Sequence, residues 1–523
     1  MYIELSLILY YNKTVFFIPK YLKHEVLVQM FKEGFDNNKY ITLQTERITQ
    51  RIAQFGGKLY LEFGGKLFDD YHASRVLPGF KPDSKINMLL QLRDKAEMVI
   101  VVSAAAIEQN KMRAYLGITY DMDALRLIDA FRERGLYVGS VVITQYTSQP
   151  GADAFIKRLN NLGIRVFRHY PIPGYPTNIK GIVSEEGYGR KEYIETSRQL
   201  VVITAPGPGS GKMATCLSQL YHDNKRGIKS GYAKFETFPV WNLPLTHPVN
   251  LAYEAATVYL SDVNMIDPFH LEAYGETTVN YNRDVEIFPV LRRLFEGIYG
   301  ECPYKSPTDM GVNMVGNCIY DDEAVSHAAK MEIIRRYYDC RCKSIKGTGD
   351  GEDVYKTEII MNKAKITVED RPVVQAALTK AAATDGPGAA IELPDGTIVT
   401  GKTSDLLGSC SAAILNALKH LAGIADGVHL ISPTVLEPIC RLKTDHLGSI
   451  NPRLHVDEIL IALSICAAAD PNARAAFECL PKLAGCEAHS SVIISQIDLD
   501  TFRRLGFTLT CEPVYETKKL FHR

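Results

Sequence analysis

The chain has 11 cysteines but no C-x-x-C pair; the closest two, Cys340 and Cys342, are one residue apart. An odd number scattered from Cys216 to Cys511 suits neither a disulfide framework nor a zinc knuckle, so reduced cytoplasmic thiols and no bound zinc are expected. Charge of one sign is not in excess, with 59 Lys and Arg against 60 Asp and Glu and a formal net charge of −1. That balance removes the broad attraction to nucleic acid or acidic lipid, and no basic-aromatic stripe suggests base readout. No uncharged apolar run is long enough to cross a bilayer; the apolar stretch 1–22 is broken by Glu4, Asn12 and Lys13 and lacks a small-residue cleavage site. Also missing are H-E-x-x-H and G-x-S-x-G, which leaves hydrolysis by a standard zinc or serine apparatus without support.

What is present is ordinary globular composition: 46% hydrophobic residues, 23% charged, 38 Gly and 25 Pro in 523 residues. At about 150 residues per domain this length predicts about three to four domains. The first 29 residues show no clear period, and polar helical patterning starts only afterwards. Met30 is therefore a candidate initiator, the alternative being that 1–29 adds a strand or helix to the sheet.

From residue 58 short β-branched or aromatic runs alternate with amphipathic segments, the pattern of a mostly parallel sheet covered by helices. Strands are predicted at 58–63, 97–102, 137–144, 164–169, 200–205 and 231–235, with helices at 84–95, 122–134, 152–162 and 211–225. An open α/β domain over 30–238 follows. The stretch 239–387 carries the single tryptophan, Trp241, and reads as a mainly helical middle domain, with helices at 285–299, 321–338, 355–364 and 368–382 and a linker at 346–354. A third domain, 388–523, returns to α/β patterning. Its Asp395-Gly396 pair predicts a hairpin in which both central residues take positive φ. A helix over 411–421 and a strand, helix, strand ending that begins with SVIISQ (491–496) complete it.

The most informative segment is QLVVITAPGPGSGKMATCLSQLYHDNK. An apolar run ends at Ala205, a turn containing Gly207, Gly209, Ser210 and Gly211 follows, and Lys212 opens a helix with Met213, Cys216, Leu217 and Leu220 at helical spacing. Converging backbone N–H groups, the positive end of a helix and a lysine are what a phosphate needs, so this P-loop-like unit is the candidate site for ATP or another phosphate ligand. The match to G-x-x-x-x-G-K-[ST] is incomplete, because Pro206 replaces the first glycine and Met213 the hydroxyl residue that would bind magnesium. Ser210 or Thr215 could supply a hydroxyl from elsewhere, which leaves magnesium dependence open. The bland alternative is a tightly packed β–α turn with a solvated Lys212.

Other residues could face a small substrate. FGGKLYLEFGGK repeats Gly-Gly-Lys on both sides of a strand and resembles the first strand of amino-acid kinases, except that Glu62 stands where that family has lysine. Asp69, Asp70, His72 and Arg75 follow, enough to bind a substrate and move protons, or simply a salt-bridged loop. His247, Asn250 and Glu254 fall at helical spacing, and Asp267 and His270 lie close together; they could line a cleft and replace the missing magnesium ligand, or cap helices. Lys305, Asp309, Asn282 and Arg283 sit in polar runs. Cys486, Glu487 and His489 form a possible nucleophile and base.

FGGKLFDDYHASRVLPGF, GLYVGSVVITQY, VVITAPGPGSGKMATCLSQLYHDNKRG and GCEAHSSVIISQ together resemble a bacterial family of hypothetical proteins known as a domain of unknown function. The resemblance runs from about Met30 to the end. It implies no established activity, though some relatives carry an ATP-dependent peptidase label that no constellation here supports. It also implies a carboxyl part similar to the cytidine-deaminase fold, and the 389–423 stretch reads as that fold's hairpin and cysteine-bearing helix. A deaminase needs a Glu two residues after its zinc-binding His or Cys; Ser411 and Ala412 follow Cys410, so the zinc chemistry is not expected. The combined expectation is a cytoplasmic homo-oligomer binding a phosphate-bearing small molecule, with Lys212, Asp70, His72, Arg75, His247, Asp267 and His270 as catalytic candidates. The alternative is a non-catalytic nucleotide or metabolite sensor.

Overall fold

The computed structural model describes residues 33–113 and 116–517, together with the backbone of a short hairpin at 10–11 and 14–15. The expectation for 1–29 otherwise lies outside the described residues. The chain packs as two compact units, one of residues 33–329 and one that includes 330–517.

In the first unit the chain runs α1 (Asn37–Gln54), β1 (Leu59–Phe63), α2 (Tyr71–Val76), α3 (Ser84–Gln91), β2 (Ala96–Ser103), α4 (Tyr120–Glu133), β3 (Tyr137–Thr144), α5 (Pro150–Asn161), β4 (Val166–His169), β5 (Leu200–Thr204), α6 (Lys212–Lys225) and β6 (Gly231–Phe235). It continues through α7 (Pro248–Ala256), α8 (Pro268–Tyr274) and α9 (Asn282–Tyr299) to β7 (Gly311–Val312). The seven strands form one open sheet in the order β7-β6-β1-β5-β2-β3-β4, every neighbouring pair parallel. Strands β1, β2, β5 and β6 are buried along their whole length, which is why they read as nearly continuous apolar runs rather than alternating ones. The edge strand β7 comes from beyond residue 239, so that stretch folds with the sheet rather than only above it.

The order of the strands fixes where a ligand can enter. From β1 the chain crosses to β2, beyond β5, whereas from β5 it crosses through α6 to β6, on the far side of β1. Neighbouring strands β1 and β5 thus send their connections in opposite directions, and a crevice opens at their carboxyl ends. The two loops that leave there are Gly64-Gly65-Lys66 and the glycine-rich segment 205–211.

The second unit includes α11 (Gly351–Ala364), α12 (Pro372–Thr384), β8 (Gly388–Glu392), β9 (Ile398–Lys402), α13 (Ser409–Leu421), β10 (Glu487–Ser490), α14 (Gln496–Arg504) and β11 (Thr508–Cys511), while α10 (Asp322–Ile345) runs across the division between the units. Its sheet has the order β9-β8-β10-β11, mixed in direction, with only β10 and β11 parallel. Two expectations are corrected here. The hairpin between β8 and β9 turns through residues 393–397 with positive φ at Gly396 alone; Asp395 instead accepts a hydrogen bond from Thr397 N at 2.9 Å, an Asx turn that needs no second left-handed residue. The strand predicted at 491–496 lies earlier, at Glu487–Ser490, because the polar pair His489 and Ser490 is buried between strands while 491–495 leaves the sheet.

Candidate functional site

The glycine-rich loop joins the carboxyl end of β5 to the amino end of α6 as predicted. Gly209 and Gly211 take φ of +72° and +88°, the left-handed conformation that a side chain would strain. Gly207 is required for space: a Cβ there would lie 2.2 Å from the Tyr120 hydroxyl on α4. Thr144 Oγ1, at the end of β3, donates to the Ser210 carbonyl at 2.6 Å and pins the loop against the sheet. No side chain caps α6, so its first N–H groups point outward with the positive end of the helix dipole. Lys212 is half-buried and makes no hydrogen bond or ion pair among the described residues, and the Ser210 hydroxyl is buried without a partner. Met213 packs on the apolar core, and Thr215 is fully buried with its hydroxyl 3.4 Å from His169 Nδ1. Neither side chain is placed to do what the usual Ser or Thr after the lysine does.

Most of the other sequence candidates hold the fold locally. Asp70 caps α2 and forms a 2.6 Å ion pair with Lys85; burial pushes its carboxyl up, but Lys85 brings it below the ordinary range. His72 sets its ring edge-on to Phe238, and Arg75 lies at the end of α2. His247 is the cap of α7, accepting from Val249 N through Nδ1, with Nε2 3.0 Å from Asp322. Asp267 caps α8 and also accepts from Thr308, and His270 Nδ1 meets Ser306 Oγ at 2.9 Å. Asn250 and Glu254 bond to backbone at Val240 and Asn264, and Arg283 pairs with Asp262. Asp309 forms a capping box with Ser306 and accepts from the backbone N–H of Lys305, while the Asn282 side chain accepts from Val263 N. The dipeptides His247-Pro248 and Asp267-Pro268 were readable as a cap followed by proline in the first helical position.

In the second unit Cys486 is buried with its thiol pushed up to about 12 by desolvation, the opposite of an activated nucleophile. His489 turns to Thr510 and Glu512 instead. Cys410 opens the first turn of α13, again with a thiol raised by burial. Among the described residues no group of three or more His, Cys, Asp or Glu is arranged to hold a metal ion, and no helix is long and apolar enough to cross a membrane.

Three further groups lie near the carboxyl ends of the strands. Near the end of β6, Lys234 Nζ lies 2.8 Å from Glu236 and contacts Asp284 and the Tyr281 hydroxyl, which itself donates to Glu236 at 3.0 Å; Glu62 accepts from Tyr232 at 2.7 Å. Burial pushes the Glu236 carboxyl up to about 7 despite Lys234. Lys191 is 6% exposed, and its ammonium has one acceptor, the Ala214 carbonyl in the first turn of α6, at 3.4 Å; desolvation pushes it down to about 8. Lastly, a narrow cleft lined by Gly65, Lys66, Arg113, Arg126, Thr204 and Ala205 opens between the two loops, with room for about one water molecule. A lysine in a strand that should be central, as in GYAKFET, was the readable sign of the first group; the other two depend on tertiary approach.

These features define an open parallel α/β protein whose topological switch carries a glycine-rich loop on a helix amino terminus. The profile described as "Domain of unknown function DUF1846, N-terminal" matches residues 33–365, and its C-terminal counterpart matches 369–521. The chain belongs to this DUF1846 family. It is 58% identical over 498 residues to a UPF0371 protein of Streptococcus thermophilus (strain ATCC BAA-491 / LMD-9), covering 94% of this chain and 100% of the relative. A UPF0371 protein of Corynebacterium urealyticum is 57% identical over 491 residues, 94% of this chain and 99% of its own length. One from Streptococcus pneumoniae serotype 19F (strain G54) is 58% identical over 495 residues, 94% of this chain and 100% of its own.

Proposed function

We propose that the protein binds a phosphate-bearing small molecule in the crevice between β1 and β5, with the phosphate on the backbone of Gly207 to Gly211 and on Lys212. The observation that carries this reading is the coincidence at one point of a helix amino terminus without a side-chain cap, a half-buried lysine and a buried Ser210 hydroxyl, the last two without a partner among the described residues. A packing turn has no use for these three, whereas an anion satisfies all of them at once. ATP or another nucleotide is one ligand of this kind. The replacement of the magnesium-binding hydroxyl by Met213, which is packed into the core, favours binding without magnesium-dependent phosphoryl transfer, and so a ligand sensor as the second reading.

The test is a thermal-shift screen against ATP, GTP, NAD, sugar phosphates and inorganic phosphate, with and without magnesium, beside Lys212→Ala. A ligand at a hundred times its dissociation constant adds about 2.7 kcal/mol of stability. Stabilisation of the native protein but not of the variant supports the loop as the site; equal behaviour of the two proteins would show that GPGSGK is only a turn.

A further inference from the structure

The cleft beside the loop has a composition that the phosphate reading leaves unexplained. It is lined by Gly65 after β1 and Thr204-Ala205 at the end of β5, by the apolar Leu67, Phe68 and Leu127, and by three cationic residues, Lys66, Arg113 and Arg126. Both arginines reach Asp123 on α4, which is fully buried. Arg126 engages that carboxylate through Nε alone, at 2.7 Å, and its two Nη groups have no partner among the described residues. The open side of a guanidinium is a flat pair of parallel N–H donors, the geometry that matches a carboxylate in bidentate fashion. Residues 204–205 lie just before the glycine-rich loop, and Tyr120, on the same helix as Asp123 and Arg126, stands against Gly207. A ligand seated on the loop therefore has this cleft beside it.

We infer that the ligand is a phosphorylated carboxylic acid: its phosphate sits on the GPGSGK loop and its carboxylate is held by Arg126, with Arg113 and Lys66 supplying further positive charge. This inference rests on the phosphate reading of the loop and adds the second anchor. Two matched pairs of probes separate the two, each pair sharing the phosphate and differing in the acid: 3-phosphoglycerate with glycerol 3-phosphate, and 6-phosphogluconate with sorbitol 6-phosphate. Affinities are measured by calorimetry on the full chain and on Arg126→Gln, Lys66→Met and Lys212→Ala. Arg126→Gln keeps a donor for Asp123, and Lys66→Met keeps both arginines on it, so one folded variant is enough to read the result.

In at least one pair the acid should bind about tenfold or more tighter than its alcohol, the size of a charge-assisted bidentate contact. That preference should disappear in Arg126→Gln and shrink in Lys66→Met, while Lys212→Ala weakens acid and alcohol by the same factor. The inference is overturned if neither acid is preferred, or if the preference survives both cleft substitutions while phosphate binding still depends on Lys212. Acid binding that survives Lys212→Ala but not Arg126→Gln would instead refute the loop reading and leave the arginine site standing. Binding of none of the four would refute both.

Discussion

Replacing Glu236 by Gln should stabilise the protein, increasingly as pH rises from about 4.5 to about 7. Glu236 is buried beside Lys234, Tyr281 and Asp284, and its carboxyl is displaced from the ordinary 4.5 to about 7, first by burial and then by the neighbouring acids against the pull of Lys234. An acid whose folded value is raised is unpenalised below its unfolded value. It loses stability as pH rises from about 4.5 to about 7, where the folded form has given up its proton. The displacement corresponds to about 3 kcal/mol once complete. Gln keeps an oxygen to accept the Tyr281 hydroxyl and carries no charge to desolvate. The difference in stability between Glu236→Gln and the native protein should therefore be small at pH 5, grow through pH 7 and level off near about 3 kcal/mol above pH 8. Against the desolvation of its burial, Asp284 holds Lys234 charged across this range in both proteins, and titrating groups remote from Glu236 cancel in the difference. Urea unfolding followed by the fluorescence of Trp241, the single tryptophan and a residue of the unit 33–329, reads this unit directly. A difference that stays constant from pH 5 to 8.5, or a Gln variant less stable throughout, would refute the reasoning.

Gly207→Ala should cost about 1–3 kcal/mol, because the new Cβ meets the Tyr120 hydroxyl at 2.2 Å, and adding Tyr120→Leu should recover most of the loss in the same urea measurement. Arg371→Met should cost about 3–5 kcal/mol in the second unit, since it removes a fully buried guanidinium and leaves the half-buried Glu487 without that partner; circular dichroism follows this loss, and adding Glu487→Gln should return part of it. Cys486 and Cys511, both pushed up to about 12 by burial, should resist iodoacetamide at pH 8 in the folded protein and react fully in urea. Mass spectrometry showing native Cys486 modified would contradict its placement.

The sequence told most where a segment's own pattern decides its structure. Strands Tyr137–Thr144 and Gly231–Phe235 have the predicted limits, because a strand buried on both faces reads as an apolar run between polar turns. The loop from Ala205 to Lys212 was equally readable, since glycines at left-handed positions leave a local mark. Where tertiary contact decides, the pattern is silent. Two residues, Gly311 and Val312, are too few to show a period, yet they supply the sheet's edge. His247 and Asp267 could be read from sequence as ligands or as caps, and that they cap helices is decided by which N–H groups lie within reach rather than by residue type. Arg126, on the helix after β2, and Lys66, just past β1, are 60 residues apart in sequence and come to line one cleft only through the tertiary fold.

Lys191 carries the opposite penalty to Glu236 and points to the same end of the sheet. Its ammonium is nearly fully buried, has one long bond to the Ala214 carbonyl, and is displaced from 10.5 to about 8 by desolvation. A base whose folded value is lowered is penalised in full below that value, and the penalty fades as pH rises from about 8 to 10.5. Lys191→Met, close in length and apolar, should therefore be more stable than the native protein at pH 7, by up to about 3 kcal/mol, with the advantage shrinking toward pH 10.5. A cost of that size persists in a folded protein when it is offset by something other than stability. Beside the first turn of α6, where no side chain caps the helix and Lys212 has no partner among the described residues, a bound anion would supply the missing counter-charge. The same variant should then bind inorganic phosphate more weakly even though it unfolds less readily. Stability and affinity moving in opposite directions is the signature of a functional charge; a variant that loses stability at pH 7, or that gains it while binding phosphate as well as the native protein, would make Lys191 a packing residue and nothing more.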